Sequence, residues 1–192
     1  FVGGSNREFG NAIIVDSKGA AYIGGETYSA NFPVKGAYDP TYNTNEDGFL
    51  LKLAPSGRSL EFSTYFGGSK IDNISVVALD PSGAIWLAGT TLSSGLPLKD
   101  PIDASFAGRT EAFLARLSKT GAKLEFSTFL GGKSSDYLWG LAVSPTSGIV
   151  VVGGETESAD FPVYKAYSNA YKGENDGFLA IYKSSSSAAK RK

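Results

Sequence analysis

The chain has 192 residues, a formal net charge of −1, 42% hydrophobic and 19% charged residues, and no cysteine, histidine or methionine. This balance gives no support to binding of nucleic acid or of a charged membrane surface, both of which need a basic excess. The missing cysteine excludes disulfides, thiolate zinc sites and cysteine nucleophiles, and the missing histidine removes the commonest general base and metal ligand.

The first 65 residues predict an all-β unit. The turn at residues 16–19 and the turn at residues 55–57 contain a glycine that can take a positive φ, and a long loop covers residues 26–46. No segment keeps a helical period, and 24 glycines with 12% aromatic residues are typical of strands joined by tight turns. Strands are expected near residues 11–15, 20–24, 48–53 and 59–65.

This unit recurs along the chain. Glycine pairs begin at Gly3, Gly67 and Gly131, with a spacing of 64 residues, and one extra residue in the turn after Ser144 shifts the later landmarks of the third unit. Repeated groups of four antiparallel strands are the pattern of β-propeller blades. We therefore predict a β-propeller-like fold with about three four-stranded antiparallel blades, as a partial ring or as part of a larger propeller. The blades are expected at residues 1–64, 65–128 and 129–183, before a Ser-rich basic tail at 184–192.

The repeats resemble the SBBP β-propeller repeats of bacterial exported and surface proteins. This resemblance implies a propeller with the Ala-Ile-Val-Asp type of strand innermost and a secreted or cell-surface location, and it supplies no catalytic motif. The motifs that carry it are NAIIVDSKGAAYIGG at residues 11–25, DGFLLKLAPSG at 47–57 and LEFSTYFGG at 60–68, which returns as LEFSTFLGG at 124–132.

The predicted ring is incomplete, because propellers usually have four to eight blades. Residues 1–4 match the end of a fourth strand, and the third unit stops after its third strand. Because the chain starts at Phe1, we expect it to be a processed or excised piece. Whether the 192 residues are a fragment of a longer chain stays open. Exposed sheet edges would need burial against a partner, either a second copy, giving six blades, or another protein. Residues 1–2 would then complete the last blade of the same chain or of a neighbour.

The function predicted from these features is a non-enzymatic scaffold or interaction module in an exported or cell-surface assembly, without nucleic-acid partners or a membrane span. The alternative is a glycan-binding propeller that uses loop aromatics. Tyr28 and Tyr164 are candidate binding residues because their positions are not aromatic in the other units. Trp139 is a third candidate, since the other units have Asn11 and Ser75 at its place.

Two sets of residues are candidate cation ligands, and calcium is the one cofactor that the sequence suggests. Acidic residues follow each glycine pair, and their oxygens could converge near the mouth of a central channel, with turn capping as the alternative. The second set resembles the start of a calcium loop, but Ala54 stands where the bidentate acid belongs. The first set is Glu8, Asp72 and Asp136, and the second is Asn43, Asn45 and Asp47.

Overall fold

The computed structural model describes residues 1–43 and 45–183, so the predicted tail at 184–192 lies outside the described residues. Within these ranges the chain forms strands and no helix, which confirms the all-β prediction, and no helix that could cross a membrane is found there. The strands are β1 (Glu8–Val15), β2 (Ala21–Thr27), β3 (Asp47–Leu53), β4 (Leu60–Phe66), β5 (Asp72–Leu79), β6 (Ile85–Thr91), β7 (Glu111–Leu117), β8 (Leu124–Leu130), β9 (Asp136–Val143), β10 (Ile149–Thr156) and β11 (Asp176–Lys183).

The strands form three antiparallel sheets, one for each sequence unit. The first sheet has the order β1-β2-β3-β4, the second β5-β6-β7-β8 and the third β9-β10-β11. In the part of the chain that the structure describes, the third sheet has no fourth strand. The first strand of each unit is longer than predicted, because pairing continues past the expected start and joins Glu8 to Thr27.

The added length at the start of each sheet contains a β-bulge. The register shifts between Gly10 and Ala12 in the first sheet, so that Asn11 is an extra residue there. The second and third sheets shift at the corresponding places, where Ser75 and Trp139 are the extra residues. A bulge re-aims the side chain of its extra residue. The bulges therefore give these three positions a common and distinctive orientation at the start of each sheet.

The second sheet packs between the other two. One buried cluster joins the first and second sheets, and includes Leu50, Phe66, Ile74 and Phe113. Another joins the second and third sheets through residues such as Leu114 and Leu138. The first strands of neighbouring sheets, β1 with β5 and β5 with β9, also contact each other. Two junctions of the same kind thus hold the three sheets together, each built from facing apolar side chains.

Candidate interaction surfaces

The acidic residues that follow the glycine pairs close the turns before β1, β5 and β9. The carboxylate of Asp72 accepts hydrogen bonds from the backbone N–H of Gly68 at 2.7 Å, from Ser93 Oγ at 2.8 Å and from Thr91 Oγ1. Asp136 is held in the same way by Gly132 and a serine, and Glu8 by Gly4, a threonine and a serine. Asp72 and Asp136 are fully buried. These contacts describe turn capping, the alternative role expected for these residues.

The hydroxyl partners of these acids were not identified from the sequence. They belong to a Thr-x-Ser motif that ends or follows the second strand of every unit, and its recurrence in register would have been the signal. The motif residues are Thr27 and Ser29, Thr91 and Ser93, and Thr156 and Ser158.

A second buried acid approaches each capping acid from the neighbouring sheet. A Cβ atom placed on Gly67 would lie 2.7 Å from Asp72 Oδ2 and 2.8 Å from Asp47 Oδ1. At the next junction, a Cβ on Gly131 would lie 2.3 Å from Glu111 Oε2 and 2.4 Å from Asp136 Oδ2. Each junction therefore contains a pair of carboxyl groups, one from each sheet, that meet over a glycine.

The residues compared with a calcium loop form the turn that leads into β3. Asp47 Oδ2 accepts the backbone N–H of Asn43 at 2.6 Å, and Asn45 takes a left-handed conformation with a φ of 75°. Among the described residues Asp47 Oδ1 is buried without a hydrogen-bond partner, and it lies beside Asp72 rather than in the turn. Within residues 1–43 and 45–183, no group of three or more acidic side chains is placed to hold a metal ion. Calcium binding stays a prediction from the sequence.

Burial changes the protonation of the paired acids. Desolvation, reinforced by Asp72, raises the pKa of Asp47 to about 7, and desolvation, reinforced by Asp136, raises the pKa of Glu111 to about 7. Two carboxylates this close repel each other when both are ionised. Asp47 and Glu111 are therefore each expected to hold a proton in mildly acidic solution and to lose it near neutral pH.

We predict that Glu111→Gln flattens the pH dependence of stability. An acid whose folded pKa is raised stabilises the fold fully below its unfolded pKa of about 4, and this contribution is lost as the pH rises to the folded value. The glutamine imitates the protonated acid, because its oxygen can still accept the N–H groups of Ala107 and Gly108. Urea unfolding should show a gain of about 1–2 kcal/mol at pH 8 and little change at pH 4.

The control for this prediction is Glu125→Gln, at an acid that lies partly exposed beside Arg116. This variant should show no gain at pH 8. An equal gain in both variants, or a Glu111→Gln gain that is as large at pH 4 as at pH 8, would contradict the assignment of the proton to the junction.

The three candidate binding aromatics lie in separate places. Tyr28 follows β2, is partly buried, donates its hydroxyl to the carboxylate of Glu46 and has the guanidinium of Arg7 4.9 Å from its ring centre. Tyr164 is exposed in the loop between β10 and β11. Trp139, in the β9 bulge, is 58% exposed and stacks on Tyr137 with ring centres 5.9 Å apart. The hydroxyl of Tyr28 is thus already engaged, while the other two rings face solvent.

A surface groove lies between the β1–β2 turn and the β5–β6 turn, and none of these aromatics lines it. Lys52 in this groove forms ion pairs with Asp16 at 3.5 Å and with Glu61 at 2.8 Å. Desolvation lowers the pKa of Lys52, but hydrogen bonds to Glu61 and Tyr22 outweigh it, so the pKa is raised. A lysine with a raised pKa stays protonated near neutral pH and is a poor base or nucleophile.

The two outer sides of the stack of sheets carry exposed apolar side chains, although loop residues Phe32 and Tyr42 cover part of the first sheet. We call the exposed side of the first sheet, with Ile13 and Val15, the leading face. The exposed side of the third sheet, with Trp139, Leu179 and Ile181, is called the trailing face. Exposed apolar side chains that share one face are typical of interaction surfaces.

Equivalent residues of the repeat explain why these side chains are apolar. Leu179 is 68% exposed, whereas its equivalents Leu50 and Leu114 are 0% exposed inside the two junctions. On the other side, Ile13 is 66% exposed and its equivalent Val77 is 3% exposed. Leu179 and Ile13 thus stand at positions that make a junction wherever a neighbouring sheet is present.

No protein-family model matches the chain, and no curated protein matches it. The resemblance to SBBP repeats therefore continues to rest on the sequence motifs alone.

Proposed function

We propose that this chain is a non-enzymatic β-propeller scaffold, a secreted or cell-surface subunit that associates with a protein partner through its leading and trailing faces. The observation that carries the proposal is the contrast between Leu179, which is exposed, and its buried equivalents Leu50 and Leu114. A leucine of this size is worth about 1.5–3 kcal/mol when it is buried. Covering the leading and trailing faces with a partner would therefore bury these apolar side chains and favour association.

Three features support the propeller arrangement within this proposal. The sheets are equivalent in sequence, they pack face to face through repeated junctions, and the first strands of neighbouring sheets contact each other. Sheets arranged radially around an axis meet at their innermost strands in this way. The SBBP resemblance assigns the same strands to the inner position.

The test uses single cysteines, since the chain has none of its own. Leu179→Cys places a thiol on the trailing face, and Lys18→Cys places a control thiol on an exposed turn. Both variants are produced in the native host and treated, without lysis, with a membrane-impermeant maleimide. We expect Lys18→Cys to react rapidly, and Leu179→Cys to react only after denaturation. Equal labelling of both thiols, or no labelling of either before lysis, would contradict the proposal.

A second candidate function is glycan binding at Trp139, favoured by its exposed, nearly parallel stack on Tyr137. Aromatic faces of this kind suit the apolar faces of sugars. Trp86, the other tryptophan, is buried, so a change in fluorescence on adding a sugar would report on Trp139. A glycan array followed by fluorescence titration separates the functions: saturable binding that Trp139→Ser removes supports the glycan site, and no saturable binding supports the scaffold.

A further inference from the structure

We propose that the partner is a second copy of this chain, bound head to tail, with the leading face of each copy on the trailing face of the other. In this arrangement Trp139 of one copy lies against Gly10 of the next, and Asp176 lies beside Glu8. The inference rests on the proposed function and identifies the partner that the scaffold would take.

The internal junctions provide the first argument. Each joins the trailing side of one unit to the leading side of the next, and the open faces carry the two matching halves of that same junction. Gly24 in the first sheet contacts Ile74 and Val77 of the second. Its equivalent on the trailing face is Gly153, and the equivalent of Val77 on the leading face is Ile13. Docking of two copies would bring this pair together.

The sizes of two facing residues provide the second argument. Within the first junction, the bulge residue Asn11 donates its side-chain N–H to the backbone oxygen of Ile74 at 3.2 Å, so these two positions are neighbours. On the open faces the corresponding residues are Trp139 and Gly10. A large indole on one face thus meets the smallest residue on the other. In the part of the chain that the structure describes, a Cβ on Gly10 would meet only a methyl group of Ile23, at 3.6 Å, which leaves space over this glycine.

The acidic pairs provide the third argument. Gly67 and Gly131 each have two carboxyl groups beside them, one from each neighbouring unit. Within residues 1–43 and 45–183, Gly3 has only that of Glu8, at 2.5 Å from a Cβ position. The absent member of this third pair corresponds to Asp176. Asp176 already has the local geometry of its equivalents, because its Oδ2 accepts the backbone N–H of Lys172 at 2.6 Å, as Asp47 does from Asn43.

The outer edge of β11, which has no strand partner among the described residues, provides the fourth argument. In the described part of the chain β11 pairs with β10 alone, whereas Phe49 pairs with Tyr65 on the outer strand of the first sheet. The repeat places Phe178 at the position of Phe49 and Phe1 at the position of Tyr65. Residues 1–2 of a second copy would therefore extend the third sheet. A head-to-tail contact that closes leaves neither the leading face nor the trailing face free.

Sedimentation equilibrium of the 192-residue chain tests the proposal. We expect a reversible dimer with twice the chain mass of 20.1 kDa. Ile181→Asp places a charge on the trailing face and should raise the dimer dissociation constant by about 30-fold or more. The matched control is Ile102→Asp in a loop of the second sheet, since the two isoleucines are 61% and 68% exposed. The control should change the dissociation constant by no more than about twofold.

A mixing experiment tests the head-to-tail arrangement. Ile13→Asp damages only the leading face, and Ile181→Asp damages only the trailing face, so each variant alone should be monomeric. A mixture retains one intact leading face and one intact trailing face, and it should form a one-to-one complex. If only one of the two variants prevents association, the copies associate through one kind of face that pairs with itself, and the head-to-tail proposal is wrong.

A monomeric wild-type chain at every concentration would overturn the second-copy proposal. Protection of Leu179→Cys in the host would then still support a scaffold that binds a different protein. Labelling of Leu179→Cys in the host together with a monomer in solution would overturn both proposals. Circular dichroism of each variant confirms that loss of association is not loss of folding.

Discussion

Replacing Gly89 with alanine is expected to lower the free energy of unfolding by about 4 kcal/mol or more. Gly89 faces the bulge in β5, where an added Cβ would lie 1.9 Å from the backbone oxygen of Asn73 and 3.0 Å from the backbone nitrogen of Ser75. Backbone atoms of a paired strand cannot turn aside as a side chain can. The substitution must therefore open the pairing of β5 with β6 in the sheet that packs against both others.

Urea denaturation followed by circular dichroism measures this loss. The control is Gly95→Ala, because a Cβ on Gly95 meets no atom within 4 Å. Its free energy of unfolding should change by no more than about 0.5 kcal/mol. If Gly89→Ala is as stable as Gly95→Ala, the bulge is not present in the folded protein.

Replacing Gly131 with alanine is expected to cost about 3 kcal/mol. The added methyl group would stand within 2.4 Å of carboxyl oxygens of both Glu111 and Asp136. These two acids are buried and held by hydrogen bonds from Gly108 and Gly132, so neither can move away without losing a partner. The methyl group would push the second and third sheets apart at the place where these two carboxyl groups meet.

The repeat supplies a matched control for this prediction in Gly3→Ala. Among the described residues its Cβ would meet the side chain of Glu8, whose carboxylate also accepts hydrogen bonds but is partly exposed, so water can replace a partner that it loses on moving. Measured as a monomer at low protein concentration, this variant should lose less than about 1 kcal/mol. Equal losses at Gly3 and Gly131 would show that the local turn, and not the acidic pair between the sheets, sets the cost.

The strands and their period could be predicted from the sequence because each strand alternates locally and each turn contains its own glycine. The bulge that directs Trp139 outward could not be predicted in this way. It depends on which residue of β9 pairs with Gly154, and this register is set across two strands. The sequence therefore identified Trp139 as unusual without indicating its neighbours.

The acidic pairs were missed for a related reason. Asp47 stands in a stretch that resembles a calcium loop, and local spacing suggested a cation ligand there. Its free oxygen instead meets Asp72, which belongs to the next unit. A contact between units has no fixed local spacing, so only comparison of all the junctions reveals it. The hydrogen bond from Tyr28 to Glu46 could not be predicted either, because the two residues lie at opposite ends of a long loop.

Each junction is built from one side of a unit and the facing side of the next unit, and this affects how the number of repeats can change. Duplication or deletion of one whole 64-residue segment leaves a complete pair of mating halves at each boundary, so copy number can vary through simple recombination. A substitution on one side of a junction has the opposite effect, because it requires a compensating substitution on the facing side, in the neighbouring unit. In the proposed dimer, Trp139 of one copy and Gly10 of the next would form such a matched pair, so a change at one would require a change at the other.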